Sequence, residues 1–262
     1  MVRRNNSGRE RNSSSQVLFP EMRDQKSVVK DIRNYLAGQV VGITRDEALL
    51  DELLKCIFCH IELERQNRQP STDQGSSAGA IGKLYEDTFD VLQIRFPGLF
   101  DQGSRIELAP EHVEFIDRAL SVLSIADAPR DLIGDVYEAF IGTGYRGHEG
   151  QFFTPKNAVK ALVAMISPQD DDRIIDPACG AGGFLLEAVR AGGSLEDAAG
   201  RVYGIDKDAY LARLARLRLA IESNAIFQVE CADSLAWTGN GFDSSITKGL
   251  MGSFSLVLTN PP

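Results

Sequence analysis

The sequence has 262 residues, 43% of them hydrophobic and 25% charged, enough apolar material for one large domain or two modest ones. No apolar run approaches the roughly eighteen residues of a membrane span. Met1 to Gln16 carries arginines with no apolar stretch behind them, unlike an export signal. A formal net charge of −9 argues against wrapping nucleic acid by bulk electrostatics, so any grip on phosphates is expected to come largely from another chain.

The expected location is the cytoplasm, where the four cysteines Cys56, Cys59, Cys179 and Cys231 would be reduced, mostly buried thiols. Residues 1–16 are rich in Ser, Asn and Arg and hold almost nothing apolar, so a disordered tail is expected there, ending by residue 18. From Asp46 to Gln66 the apolar positions Leu49, Leu50, Leu53, Leu54, Ile57, Phe58 and Ile61 form one helical stripe. Thr44 is a candidate cap, and Asp46 and Glu47 suit the helix N-terminus. Residues 69–80 read as a loop. Further helical patterns cover Ile81–Phe96, Pro110–Leu123 and Asp131–Ile141. The first part, 19–130, is therefore expected to be a mainly helical domain.

The pattern changes near Gly150. A helix is expected over Pro155–Ile166, with Thr154 as N-cap and Pro155 in its first position. Four short apolar runs follow: Arg173–Asp176, Arg201–Asp206, Phe227–Cys231 and Phe254–Thr259. Helical stretches Gly183–Ala191 and Asp208–Ser223 separate the first three, the second with Leu211, Leu214, Ala215 and Leu219 on one face. Alternating strands and helices predict an α/β, Rossmann-like parallel sheet, with four strands read, over 131–262.

Cys56-Ile-Phe-Cys59-His60 fits a haem-attachment spacing, but it lies inside an amphipathic helix, and no second pair of ligands accompanies it. A structural role is expected, and no metal site. The run Asp176-Pro-Ala-Cys-Gly180-Ala-Gly182-Gly183-Phe184 sits between a strand and a helix, where glycines let backbone approach a ligand. It is not the dinucleotide fingerprint, because the third glycine position is Leu185. A tight turn alone would also use these glycines. Asp206 closes the second strand and could accept from a ribose diol or merely cap the next helix. Asp233, beside Ser234 after the third strand, could accept from an adenine amine. Three acids at three successive strand ends outline a nucleoside-shaped crevice.

After the last strand comes Thr259-Asn260-Pro261-Pro262. Consecutive prolines stiffen this segment. An Asn oxygen and a proline carbonyl in fixed relation can accept both hydrogens of an –NH2 group, draw its lone pair out of conjugation and aim it at a sulfonium methyl. Such a transfer depends on alignment and needs no strong base.

These residues resemble the modification (methyltransferase) subunits of type I restriction–modification systems, from about Phe19 onward. Gly150-Gln-Phe152-Phe153-Thr154-Pro155 is similar to that family's first cofactor motif, and Asp131-Leu-Ile-Gly-Asp-Val-Tyr-Glu138 to its lead-in. Asp176 to Leu185 is similar to its glycine motif and Asn260-Pro261-Pro262 to its catalytic motif, while Leu53 to Glu62 resembles its helical domain. The resemblance implies an S-adenosylmethionine-dependent adenine-N6 methyltransferase fold. Phe153 would belong to the cofactor site, with Thr154 on the methionine carboxylate and Asp176 on its amino group. Gly180 and Gly182 would line the methionine part, Asp206 the ribose, and Asp233 with Ser234 the adenine. Asn260 and Pro261, with Pro262, would hold the amine of a flipped DNA adenine. Implied partners are DNA, a specificity subunit, a restriction subunit and a second modification subunit, with no membrane. Competing readings are an amino-methyltransferase of protein glutamine or RNA, and a non-catalytic cofactor-binding or assembly subunit. The family follows Asn-Pro-Pro with an aromatic residue and has seven strands, so the chain ending at Pro262 is expected to transfer methyl groups poorly alone.

Overall fold

Five helices carry the first half: α1 (Gln25–Gln39), α2 (Asp46–Arg65), α3 (Ala78–Arg95), α4 (Pro110–Leu120) and α5 (Leu132–Ile141). They are seen in a computed structural model that describes residues 24–43, 46–68, 77–123, 131–141, 154–192, 198–238, 241–242, 245–250 and 252–261. The expected tail and the Thr44 cap lie outside the described residues. The loop expected over 69–80 ends earlier, because Ser77 caps α3 by accepting from the Ala80 N–H and residues 78–80 form its first turn. α4 stops at Leu120, although Leu123 is still buried.

The stripe read on α2 is buried throughout, but the helix is enclosed on other sides too: Glu52, Lys55, Cys56, Cys59, His60 and Glu62 are also buried. A helix packed against α3, α4 and α5 can bury charge only where partners meet it. Lys55 pairs with Glu52 and donates to the Arg105 carbonyl at 2.8 Å. The His60 Nδ1 lies 3.0 Å from Asp117 Oδ1, on which the Tyr85 hydroxyl also donates at 2.6 Å. Cys56 and Cys59 are fully buried, and burial pushes both thiols up, away from the thiolate that binds metal.

The second half runs α6 (Lys156–Ile166), β1 (Ile174–Asp176), α7 (Gly183–Ala191), β2 (Val202–Asp206), α8 (Ala209–Ser223) and β3 (Gln228–Cys231). A short ribbon of β4 (Trp237–Thr238) and β5 (Gly241–Phe242), helix α9 (Ser245–Leu250) and β6 (Leu256–Val257) follow. The four-stranded sheet has order β3-β2-β1-β6, with all its pairings parallel. β6 is shorter than expected, yet Leu256 N–H and Leu258 N–H bond the Arg173 and Ile175 carbonyls along β1. β1 is the pivot: the chain builds outward to β3 on one side, then returns to place β6 on the other. Crevices at such a reversal, outside the carboxyl ends of the strands, are where open α/β sheets bind ligands.

The stripe expected on one face of α8 divides between two. Leu211, Leu214, Leu217 and Ala220 join the helical core, whereas Ala212, Ala215 and Leu219 face the sheet. α8 therefore welds the two halves together. α5 belongs to the same helical core through Leu132, Ile133, Val136, Tyr137 and Phe140. No described helix is long and apolar enough to cross a membrane.

Candidate functional site

The glycine turn joins β1 to α7 across the pivot. Gly180 (φ 51°) and Gly182 (φ 78°) both take left-handed backbone, which a side chain would strain. A Cβ on Gly182 would also lie 2.9 Å from the Ala215 Cβ, so this glycine lets α7 approach α8. A Cβ on Gly180 would meet nothing within 4 Å, leaving that backbone open to a ligand. The turn is braced against β2: Cys179 N–H donates to the Ile205 carbonyl at 2.9 Å and Gly180 N–H to Asp206 Oδ2 at 2.7 Å.

Asp206 is thus already committed to the backbone, since its Oδ1 accepts from the Asp208 N–H at 2.9 Å. Each carboxylate oxygen keeps a further lone pair for a diol. The helix-capping role weighed against it falls to Asp208, which accepts from the Tyr210 and Leu211 N–H groups. Asp233 is exposed beyond β3 and accepts from the Leu235 N–H at 2.9 Å, with Ser234 half-buried beside it.

Asp176 is the buried acid of the set, 1% exposed. Its Oδ1 accepts from the Ala178 N–H at 3.1 Å, and it has no ion-pair partner among the described residues. Burial pushes its carboxyl up to about 6, against the nearby Thr259 hydroxyl and the Ala178 amide, which favour the charge; Asp206 adds to the rise. The Thr259 Oγ1 is itself buried and makes no hydrogen bond of standard geometry.

Thr154 does not cap α6. Pro155 stands in the cap position without a side-chain bond, and the helix starts at Lys156, which frees Thr154 for another partner. The Asn260 Nδ2 donates to Thr154 Oγ1 at 3.1 Å. Two segments of the expected site, 106 residues apart in sequence, therefore meet where β1 and β6 end. With Nδ2 held, the Asn260 Oδ1 is the atom left to accept from an incoming amine. Asn260 and Pro261 are exposed. Phe153 and Pro262 lie outside the described residues.

Two residues outside the expected set reach this crevice. Thr259 comes beside Asp176 because β6 pairs with β1. Arg218 on α8 donates to the Ala181 carbonyl within the glycine turn. The signal was present in its position, one helical turn after Leu214 and on the stripe of buried residues, where a charged side chain needs a partner.

A family model described as "N-6 DNA Methylase" matches residues 128–262. The chain is similar to the type I restriction enzyme MpnII methylase subunit of Mycoplasma pneumoniae, 24% identical over 90% of this chain and 41% of that protein. It is also similar to the HindI methylase subunit of Haemophilus influenzae, 32% identical over 56% of this chain and 37% of the relative. The MjaVIII methylase subunit of Methanocaldococcus jannaschii is 28% identical over 63% of this chain and 28% of its own length. The chain thus spans less than half the length of these curated relatives. The fold is shared with the crystal structure of a modification subunit, assigned to a type I restriction enzyme, from Vibrio vulnificus. That likeness has a TM-score of 0.55 at 16% identity and covers 91% of this chain and 60% of the neighbour.

Proposed function

Since the chain belongs to the N-6 DNA methylase family, we propose that it is the donor-binding and amine-holding part of a type I modification subunit. It would methylate the N6 of adenine in DNA, with S-adenosylmethionine as the methyl donor. The observation that carries this reading is the meeting of Thr154 with Asn260 beside Asp176 and the glycine turn, at the reversal point of the sheet. The sequence division at residue 131 into a helical domain and a methyltransferase domain belongs to the same reading, although α5, just beyond it, packs into the helical core; so does a cytoplasmic setting.

The donor fits the residues present. A buried carboxylate with no cation beside it among the described residues, Asp176, suits an ammonium group such as that of the methionine part. The open side of Gly180 offers room, and the Thr259 hydroxyl beside Asp176 a polar contact. By resemblance, Asp206 would accept from the ribose and Asp233 with Ser234 from the adenine, and Phe153, Thr154 and Gly182 would complete the site. When bound, S-adenosylmethionine supplies an electrophilic sulfonium methyl. Asn260 Oδ1 and the Pro261 carbonyl accept the two hydrogens of the target amine and orient its lone pair; Pro262 stiffens the segment. The chain's negative charge places most phosphate contacts on a partner, which suits a separate specificity subunit, with DNA, a second modification subunit and a restriction subunit completing the assembly.

The test is transfer of labelled methyl to unmethylated DNA, with and without the specificity subunit, against RNA and glutamine-containing peptide as alternative acceptors. Incorporation into DNA adenine that depends on the partner is the expected result. Label appearing only in RNA or peptide, or in no acceptor, would overturn the reading. A variant adds a check on the cofactor site. Asp206→Ala should weaken donor binding by about 1.5–3 kcal/mol, as for charged hydrogen bonds. Because the Gly180 and Asp208 amides lose their acceptor too, its melting temperature should fall alongside. Unchanged affinity by calorimetry would remove Asp206 from the site.

A further inference from the structure

Asp131 and Asp135 stand one turn apart at the start of α5, outside both the glycine turn and the Thr154 segment. Each is nevertheless wired to them. Arg218 places Nε 3.1 Å from Asp131 Oδ1 and Nη2 2.5 Å from Asp131 Oδ2, while its Nη1 donates to the Ala181 carbonyl. Lys156, two residues beyond Thr154, donates to Asp135 Oδ1 at 2.5 Å and lies 3.3 Å from Asp131 Oδ2. From α1, Gln25 Nε2 donates to Asp135 Oδ2 at 2.8 Å.

Building on the donor-site reading above, we infer that Asp131 and Asp135 form a positioning clasp for the methyl-donor crevice. The pair holds the glycine turn through Arg218 and the Thr154 segment through Lys156, and so ties donor affinity to the helical half. Three features set this apart from an ordinary surface ion pair. The side chains of Arg218 and Asp131 are only 6% and 10% exposed, so the pair bears a desolvation cost that well-packed apolar residues would avoid. The guanidinium uses all three of its nitrogens, two on the carboxylate and one on the turn, a fork that lysine cannot reproduce. Burial works against the Asp131 charge, yet Arg218, Lys156 and the Gly134 amide outweigh it and hold the carboxyl below the usual carboxylate range.

Gly134 belongs to the device. Asp131 folds back over the first turn of α5, its Oδ1 accepting from the Gly134 N–H at 2.9 Å. A Cβ at this position would lie 2.2 Å from Asp131 Oδ2, an oxygen already fixed by Arg218 and Lys156. Alanine normally favours a helix over glycine; here it would push the carboxylate off Arg218 without removing any charge.

The experiment measures S-adenosylmethionine and S-adenosylhomocysteine affinity by calorimetry, at a temperature where every variant is folded. It compares the wild type with Arg218→Lys, Gly134→Ala and the control Arg213→Lys. Arg213 lies on the same helix and pairs with Asp51, but no described contact joins it to the turn. Arg218→Lys and Gly134→Ala should each bind about tenfold more weakly, and Arg213→Lys within twofold of wild type. A merely structural role would lower the melting temperatures of the arginine variants alike and leave affinity untouched. Should a variant not fold, amide exchange in the wild type decides: donor binding must slow Gly134 and Asp135 together with Gly180 and Gly182. A wild type that binds no donor overturns the donor-site reading itself. A wild type that binds, with Arg218→Lys and Gly134→Ala still within twofold or exchange at Gly134 and Asp135 unchanged, overturns the clasp alone.

Discussion

Replacing Asn260 with alanine is expected to cut methyl transfer on the order of 100- to 1,000-fold, the cost of losing one acceptor aimed at the reacting group. Donor affinity should stay within about twofold, because on the proposed reading Asn260 Oδ1 would meet the reacting amine and not the donor. The contact of Asn260 with Thr154 sharpens the test. Resemblance alone puts Thr154 on the donor's carboxylate, and a Thr154→Val change would then weaken donor binding. The structure gives its hydroxyl a contact of its own, accepting from Nδ2, which leaves Oδ1 to accept from an amine. Loss of that contact would lower the single-turnover rate, by about tenfold for a small misplacement of a reacting group, and Thr154→Ser would restore it. Single-turnover transfer to DNA, with donor affinity measured in parallel, separates the two. An Asn260→Ala enzyme that transfers at near the wild-type rate would take Asn260 out of the reaction.

What the sequence made legible was local. A strand followed by a glycine-rich turn and a helix predicts its own geometry, so β1, the turn and α7 stood where the residues placed them. Neighbouring β1, β2 and β3 follow from short helical crossovers, whereas the return of β6 to the far side of β1 is not set by local pattern. α1 escaped notice for an equally local reason. Its buried Val28, Val29, Ile32 and Leu36 have helical spacing, but Asp24 makes no side-chain cap, the first turn carries no acid and the last turn no base. The β4–β5 ribbon and α9 are too short to show a period. α8 stands where its residues predict a helix, but its apolar positions divide between two opposite sides, which a single stripe does not describe. The contacts that organise the crevice were out of reach: Arg218 and Asp131 are 87 residues apart, and Asn260 and Thr154 106 apart. Only the folded topology brings such pairs together, although a lone arginine on a buried stripe announces that some partner must exist.

Asp176→Asn should make the protein more stable and a worse binder at once. Ile174, Ile175 and Asp176 are all buried, so the acid ends a strand with no solvent to share its charge. An aspartate that ordinarily titrates near 3.8 is pushed here to about 6, chiefly by burial and with help from Asp206. Between those two pH values the unfolded chain has released its proton and the folded chain still holds it. Stability therefore falls as pH rises through this window, and above about 6 the folded state carries a constant penalty of roughly 3 kcal/mol, at 1.36 kcal/mol per pKa unit. Asparagine keeps an oxygen for the Ala178 N–H and carries no charge to desolvate. The variant should gain up to that amount in denaturant unfolding at pH 7–8 and nothing below about pH 4. The same charge is what an ammonium group on the donor would neutralise, so affinity should drop by about 1.5–3 kcal/mol. Wild-type affinity should climb by up to about tenfold per pH unit below 6, level off above it and lose this dependence in the variant, since the acid must ionise before it can pair. Binding below pH 6 should accordingly release a proton, seen as a heat that changes with the buffer's ionisation enthalpy. An asparagine variant that is no more stable at pH 8, and binds the donor as tightly as wild type, would mean that Asp176 neither bears the buried charge nor meets the donor. On the proposed reading, the buried Asp176, which has no ion-pair partner among the described residues, costs the folded protein stability, and an ammonium group on the donor would return it.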